Sequence, residues 1–276
     1  MIGEALAKHL NRVGTLSPED RQAVLEVKGE VRLVRRHEDI VKSGSAPTFC
    51  VLVLRGFLQR YSSRRDGSRQ IHSFYIPGDA PSLESIHLDI MDNSICAVVN
   101  SEVALIPHGG LKSLLAARPA VDALVWRSSL VQASIYREWL MRNSRLPADA
   151  AMAHLFCEMY VRSNAAGLVD QNSCDMPLTQ EMLADALGLT GVHVNRTLQS
   201  LRETGLVVTR TAASSCTTYA SSRASPTSTR SICTFATGRP RGLHLNGSKQ
   251  AIQKACSGKL VGSLRAYHAF GHGERC

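Results

Sequence analysis

The chain has 276 residues, which is enough for two small domains. No apolar run approaches the roughly 18 residues of a membrane-spanning helix, and the N-terminus lacks the apolar segment of a secretory signal, so we expect a cytoplasmic protein with no membrane partner. The net charge of +9 is not evidence for nucleic-acid binding, because residues 211–276 hold 9 Lys and Arg against 1 Asp or Glu and carry nearly all of the excess.

The first predicted element is a short helix that begins at Ser17. The sequence SPED at residues 17–20 places a capping Ser before a Pro and two acidic side chains, which is typical of a helix N-terminus. Short strand-forming runs then follow one another, separated by Gly, Pro and Asp, and predict a β-roll or barrel within residues 1–110. Asp66-Gly67 predicts a hairpin turn. The strand runs are VRLV, FCVLVL, GFLQRY, QIHSFYI, SICAVV and EVALI.

A long helix is predicted next, within residues 111–146. Between Ala120 and Arg145, apolar residues recur at close to a 3-4 spacing over about 25 residues, which favours a partner helix, and we predict a parallel homodimer. The alternative is that this seam packs on the β-roll of its own chain. The predicted dimer residues are Val121, Leu124, Ser128, Val131, Ile135 and Trp139.

Residues 147–210 are predicted to contain a helix-turn-helix. A helix over residues 150–162 and a turn-rich connector lead to the stretch 178–207, where two short helices with apolar residues at helical spacing flank Gly188. Gly can adopt the left-handed backbone needed just past a helix end, and Thr190 is a candidate N-cap for the second helix. This pattern is typical of the helix-turn-helix, whose second helix lies in the DNA major groove. An ordinary helical hairpin is the alternative.

The second helix of this unit carries hydrogen-bonding side chains away from its apolar face. Val194, Leu198 and Leu201 form the apolar face, so polar residues at the front of the helix point outward, as the reading of base edges requires. The start of the first helix offers amides and hydroxyls to a phosphate. We therefore predict double-stranded DNA as a partner. The predicted contacts are Thr179, Gln180, Thr190, Gly191, Val192, His193, Asn195, Arg196 and Gln199.

From about Ser17 to Arg210 the chain resembles the Crp/Fnr family of bacterial transcription regulators. The stretches that carry the resemblance are VLVLRGFLQRY, SFYIPGD and LADALGLTGVHVNRTLQSLRETGLV. The resemblance implies an α+β fold in which the β-roll senses a signal, the long helix makes a homodimer, and two winged helix-turn-helix units read a two-fold promoter site. RNA polymerase is then a candidate partner.

Departures from the family pattern bear on the signal and on the DNA sequence. Where cyclic-AMP-binding members have a Glu for the ribose and an Arg for the phosphate, this chain has Leu83 and Asn93, so the effector is unknown and is not expected to be cyclic AMP. No Cys precedes Cys50, so the N-terminal cluster of the iron–sulfur members is missing. Val192 stands where many members have a Glu, whereas Arg196 is retained.

Two other functions compete with this interpretation. A cupin-like metalloenzyme would need a His-x-His pair on one strand, but His37, His72, His87 and His108 are isolated. No two of the eight cysteines lie within four residues of each other, and no catalytic or nucleotide-binding motif occurs, so we predict no enzyme, no metal and no cofactor. The other alternative is a sensing β-roll dimer whose DNA-binding domain is impaired.

Residues 211–276 do not continue the winged domain. A wing should turn through Gly and return as a second strand, but this segment is rich in Ser, Thr, Arg and Ala and has no periodic apolar face. The abrupt change suggests a shifted reading frame near Thr211. We therefore predict an incomplete wing with an unpaired strand edge at Val207-Val208, followed by a low-complexity basic tail that is disordered or out of frame.

Overall fold

The computed structural model describes residues 1–169, 173–203, 208–210 and 230–234. They belong to two compact units that divide after Leu146. Within this described part of the chain, none of the helices combines the length and the apolar character needed to cross a membrane.

The first unit begins with two helices that sequence patterning identified only in part. The predicted helix at Ser17 is confirmed: the Asp20 amide donates a hydrogen bond of 3.0 Å to the Ser17 hydroxyl, which caps the helix. The helix before it was not predicted. Helix α1 is Ile2–Asn11 and α2 is Pro18–Leu25.

Two antiparallel sheets form the predicted β-roll. One has the strand order β1-β7-β3 and the other the order β2-β6-β4-β5. The hairpin at Asp66-Gly67 is confirmed by the antiparallel pairing of β4 with β5 and by the φ of +83° at Gly67, a left-handed conformation that favours Gly. The strands are β1 (Glu30–Val34), β2 (Asp39–Val41), β3 (Phe49–Arg55), β4 (Leu58–Ser63), β5 (Arg69–Tyr75), β6 (Ser94–Ala97) and β7 (Ser101–Pro107).

Apolar side chains fill two cores in this unit. Leu58, Tyr75 and Ile95 belong to the core inside the roll, which is built from the inward faces of both sheets. A second core lies between the roll and the helices, where Leu10 and Leu52 are fully buried. Because α1 contributes to this second core, the N-terminal helix is part of the unit and not an appendage.

Helices α3 (His108–Ala117) and α4 (Pro119–Arg145) follow the roll. The long helix is confirmed, but its predicted seam faces the roll. Helix α4 packs against α1, α3, β5 and the short 3-10 helix Leu83–His87. The seam is therefore corrected from a dimer contact to an intramolecular one, because these side chains are already covered by their own chain. The residues are Val121, Ser128, Val131, Ile135 and Trp139, all buried, and Leu124, half-buried against the second core.

The second unit holds the helix-turn-helix and a small sheet. Strand β8 lies within the segment interpreted as a connector, and the strand order is β8-β10-β9. The predicted unpaired edge is wrong at Val208, because β10 pairs antiparallel with β9, from Arg230 opposite Arg210 to Ile232 opposite Val208. Apart from β10, the predictions for the tail concern residues outside the described ranges. The elements are α5 (Ala148–Ala165), β8 (Ser173–Met176), α6 (Gln180–Leu187), α7 (Gly191–Glu203), β9 (Val208–Arg210) and β10 (Arg230–Thr234).

Candidate nucleic-acid interface

Side-chain caps and one glycine set the geometry of the turn between α6 and α7. The Thr179 hydroxyl accepts a hydrogen bond of 3.2 Å from the Met182 amide and caps α6. Gly188 ends α6 with a φ of +66°, the left-handed conformation predicted for it. The Thr190 hydroxyl accepts from the His193 amide at 3.3 Å and caps α7. The sequence therefore fixes both ends of the turn locally.

The apolar residues of α6 and α7 meet in one core, which holds the second helix at a defined orientation. Leu183 and Ala186 of α6 are fully buried, and so are Val194 and Leu201 of α7. Thr197 is also buried, although its position was not assigned to the apolar face from the sequence. A small β-branched residue can pack there because a Thr hydroxyl in a helix can hydrogen-bond to a backbone carbonyl of the preceding turn.

The opposite side of α7 is open to solvent. Val192, in the first turn of α7, is 81% exposed. Of the predicted contact residues only Thr179 is half-buried, since it serves as a cap. The exposed ones are Gln180, Thr190, Gly191, Val192, His193, Asn195, Arg196 and Gln199.

Arg196 is the strongest hydrogen-bond donor on this exposed face. Among the described residues, no carboxylate pairs with its guanidinium. A planar guanidinium can donate two parallel hydrogen bonds to the O6 and N7 atoms of guanine or to a phosphate. The predicted contact residues of α7 thus include one bidentate donor, flanked by an imidazole, two amides and an apolar Val.

The β-roll contains a buried polar site around Arg60 that was not predicted from the sequence. Arg60 on β4 is 6% exposed, and its guanidinium donates hydrogen bonds to the Pro81 carbonyl and to the Glu84 carboxylate. Leu83 is buried in the apolar core, and the Asn93 amide donates to the Asp92 carboxylate at 2.6 Å. The signal available in the sequence was the alternation of Leu58 and Arg60, which places an Arg on the inward face of a strand.

A third polar cluster ties α1 to the roll and to α4. The Arg12 guanidinium donates to the fully buried Asp79 carboxylate at 2.9 Å. His9 Nδ1 donates to the Gly78 carbonyl at 3.0 Å, so the neutral ring accepts through Nε2 from the Ser128 hydroxyl at 2.8 Å. Burial, followed by the charge of Arg12, lowers the pKa of His9 to about 4. The Ser in the apolar seam of α4 therefore serves as a partner for a buried His.

The histidines of the roll lie apart from one another. His72 Nε2 lies 2.8 Å from the Ser62 hydroxyl, and His108 Nε2 lies 3.0 Å from the Ser85 hydroxyl. His87 stacks on Trp126, with ring centroids 5.7 Å apart. Within the residues that the structure describes, no group of three or more His, Cys, Asp or Glu side chains is placed to hold a metal ion.

Two family models match this chain, and together they cover more than half of it. Residues 31–118 match the cyclic nucleotide-binding domain, and residues 150–214 match the Crp-like helix-turn-helix domain. These ranges are the β-roll with α3 and the unit that contains α6 and α7.

Relatives and solved structures point to the same group. A probable transcriptional activator of Rhizobium leguminosarum bv. viciae is 24% identical over 189 residues, which are 65% of this chain and 78% of the relative. The transcriptional activator protein FnrL of Cereibacter sphaeroides is 25% identical over 191 residues, 67% of this chain and 75% of the relative. The structure of FixK2 from Bradyrhizobium japonicum shares the fold with a TM-score of 0.58 at 21% identity, covering 66% of this chain and 88% of that one.

The two matched domains follow each other along the chain, and α7 exposes the polar face that reading DNA requires. The chain therefore belongs to the Crp/Fnr family and is a helix-turn-helix transcription regulator.

Proposed function

We propose that this regulator is a cytoplasmic homodimer that binds a two-fold symmetric promoter site through α7, acts there on RNA polymerase, and does not respond to cyclic AMP. The observation that carries the proposal is the exposed polar face of α7 above a fully buried apolar face. A recognition helix needs both, because the buried face fixes its orientation and the exposed face makes the contacts.

Within each half-site, Arg196 is the candidate base-reading residue. It lies in the N-terminal part of α7, the part that enters the major groove in a helix-turn-helix. Val192 has no hydrogen-bonding group and can contact only an apolar feature, such as the methyl group of thymine. Gln180 and the capped start of α6 would hold a phosphate. His193, Asn195 and Gln199 complete the proposed contact face.

The dimer contact is proposed on the exposed side of α4, opposite the buried seam. Trp126, Leu130, Leu140 and Met141 are all at least 41% exposed, and their spacing places them on one side of the helix. Single exposed apolar residues are normal, but a row of large ones between Trp126 and Met141 marks an interaction surface. Two copies of α4 would cover this row by packing against each other.

Cyclic AMP is excluded from the proposal on the chemistry of the roll. Leu83 offers no hydrogen bond to a ribose, and Asn93 offers no charge to a phosphate. The buried guanidinium of Arg60 is already bound to the Glu84 carboxylate and the Pro81 carbonyl. A cyclic phosphate would have to displace that carboxylate and lose its own hydration in the same step.

Selection from random duplexes, followed by footprinting, tests the proposal. We expect a two-fold consensus whose half-sites lie about one helical turn apart. Arg196→Ala should weaken binding to this site by roughly 1–3 kcal/mol per half-site and relax the preference at one base pair, if Arg196 reads a guanine. A uniform loss across sequences would assign Arg196 to a phosphate instead.

The matched control is Arg202→Ala, which removes the same charge from the end of α7 that lies away from the groove. Arg202 is exposed like Arg196 but lies in the last turn of the helix. The Arg202→Ala variant should therefore prefer the same base pair as the parent protein at every position of the site. A selection that enriches no sequence would contradict the proposal and favour an interaction module with an impaired DNA-binding domain.

A further inference from the structure

Arg60 is a positive charge held inside the β-roll, and no part of the DNA-binding interface requires it. Burying a guanidinium is costly unless its hydrogen bonds are satisfied and its charge is matched. Here the Pro81 carbonyl and the Glu84 carboxylate accept two of its hydrogen bonds. The Nε atom of Arg60 is buried and has no hydrogen-bond partner.

Two aromatic rings complete the surroundings of this guanidinium, and one of them belongs to α4. The central carbon of the Arg60 guanidinium lies 5.9 Å from the ring centroid of Tyr75 and 6.0 Å from that of Tyr136. The two phenol oxygens are 2.9 Å apart and share a hydrogen bond. Burial raises the pKa of Tyr136 well above its ordinary value, so its hydroxyl stays neutral. Arg60 thus lies where β4, β5, the 81–84 segment and α4 meet.

The two halves of α4 are attached to the unit in different ways. The first half is anchored by apolar contacts of Val121 and Val125 in the second core and by the hydrogen bond between His9 and Ser128. In the second half, Tyr136 contacts Arg60 and Tyr75, and the Trp139 ring lies 6.0 Å from that of Phe74. The second half is therefore held by a charged and aromatic cluster in addition to the buried side chain of Ile135.

We propose that Arg60 is a positioning residue that holds the second half of α4 on the β-roll, in place of a bound small molecule. A cation between two rings, fixed by a carboxylate, gives the helix one preferred position through directional contacts, which an apolar surface alone does not provide. The roll supplies both the cation and its counter-ion, so α4 is held without an effector. The consequence for DNA binding rests on the proposed function, since Leu140 and Met141 of the proposed dimer face belong to the same half of α4.

Trp139 lies three residues after Tyr136 on α4 and reports on the position of this half of the helix. The chain has two Trp residues, so Trp126→Phe leaves Trp139 as the only Trp, and it can be excited selectively over Tyr. In that background, Arg60→Leu should shift Trp139 emission to longer wavelength and increase its quenching by acrylamide, because the later turns of α4 move away from the roll. Arg60→Lys keeps the charge but lacks the planar guanidinium with its fixed set of donors, so its Trp139 emission should lie between that of Arg60→Leu and that of the parent.

A matched pair of tyrosine variants separates positioning from general destabilisation. Tyr136→Leu and Tyr61→Leu each remove a phenol ring that lies against an Arg; the Tyr61 ring contacts Arg69 and its hydroxyl donates to the Asp39 carboxylate at 2.8 Å, and neither contact involves α4. Only Tyr136→Leu should move the Trp139 emission. If Arg60→Leu does not fold, this pair decides the question, and equal spectra for the two variants would overturn the proposal.

Three further outcomes are informative. Folded Arg60→Leu protein with parent Trp139 emission and quenching would refute the positioning role. A change in Trp139 emission when cyclic AMP or cyclic GMP is added to the parent protein would refute the claim that the roll replaces a ligand. If the emission shifts as expected but the dimer dissociation constant, compared between proteins that keep Trp126, does not rise by about tenfold, the positioning role stands and the proposed dimer contact through α4 fails.

Discussion

At the scale of single residues, His9 shows how an N-terminal helix becomes part of the unit that contains the β-roll. Its ring is 1% exposed and bridges the Gly78 carbonyl to the Ser128 hydroxyl, and burial beside the charge of Arg12 favours the neutral form of the imidazole. A second proton would replace the acceptor at Nε2 by a donor and place a charge beside Arg12. Protonation of the imidazole should therefore destabilise the cluster.

This arrangement predicts a pH dependence. The pKa of His9 is about 4 in the folded chain and 6.5 in the unfolded chain, so the unfolded state binds more protons between these values. Stability should therefore be fully present above pH 6.5 and fall as the pH drops towards 4. Because of this group, we expect the free energy of unfolding to fall by about 2 kcal/mol between pH 7 and pH 5. Urea unfolding at both pH values measures it.

The control for this prediction is His9→Gln, which cannot take up a proton in this range. The variant should be less stable at pH 7 but should lose less stability on acidification than the parent chain. Equal pH slopes for the two proteins would show that His9 does not dominate the acid response.

Val192 allows a prediction about sequence preference. Its side chain is 81% exposed at the start of α7 and can make only apolar contacts with a base. Val192→Glu supplies an acceptor for the amino group of cytosine, so selection should yield a changed base pair in each half-site. Affinity for the parent site should fall by roughly 1–3 kcal/mol per half-site. Ser200→Glu adds the same charge to the same helix, and should weaken binding without changing the preferred base.

At the scale of whole elements, α4 has two apolar faces with different roles. The face predicted as a dimer seam is covered by the roll, and the face with Leu130 and Leu140 is exposed at 62% and 72%. A 3-4 repeat in the sequence shows that a helix has an apolar stripe, but it does not show what covers that stripe. Only the position of the roll shows which of the two apolar faces of α4 is covered within the chain.

The dimer face is tested by comparing two double substitutions on α4. Leu130→Glu with Leu140→Glu should give a folded monomer in analytical ultracentrifugation. The chain should still fold because both positions are exposed, whereas two copies of α4 that carry these charges should no longer pack against each other. Val131→Glu with Ile135→Glu places charges in the intramolecular core and should destabilise the first unit by several kcal/mol. A dimer that survives the first pair of substitutions would rule out this face of α4 as the contact.

The wing is the second element at which the structure changes the expectation. The sequence after Arg210 contains no strand with a recognisable alternation, yet residues 230–234 pair with both β9 and β8. Strands pair through backbone hydrogen bonds, which many different side chains permit. A strand in the middle of a sheet can therefore lack the alternation of apolar and polar residues by which strands are predicted.

At the scale of the whole molecule, the roll should not bind cyclic AMP. The positions that would hold its ribose and phosphate are Leu83 and Asn93, and the buried cation Arg60 has a carboxylate partner within the chain. Isothermal titration calorimetry of the full chain should show no heat of binding at micromolar concentrations. Binding in that range would contradict the prediction, and Arg60→Leu would then show whether the guanidinium takes part.

The origin of the tail is also a prediction about the whole molecule. The helix-turn-helix family match ends at residue 214, close to Thr211, where the composition changes. We propose that a one-base shift occurs there. Codons from Thr211 onward can be chosen so that another frame spells GGKLVHDLRQLASIADFDPEYLHF, which provides a Gly turn, a strand and a short helix. Resequencing the gene decides this, and the proposal fails if the other frame contains no such continuation.

The sequence by itself determined the order of the elements, the turn at Gly188, the caps at Thr179 and Thr190, and the exposed residues of α7. Each of these depends on local backbone preferences or on the period of one element, and both are encoded in short stretches of chain. The family could be inferred for the same reason, since its motifs lie within continuous segments.

Only the tertiary structure decided which neighbours each apolar or charged side chain has. It buried the seam of α4 in the roll, gave Ser128 a His as its partner, and enclosed Arg60 between a carboxylate and two rings. These contacts join residues far apart in sequence, and their energies depend on burial, which no local pattern specifies.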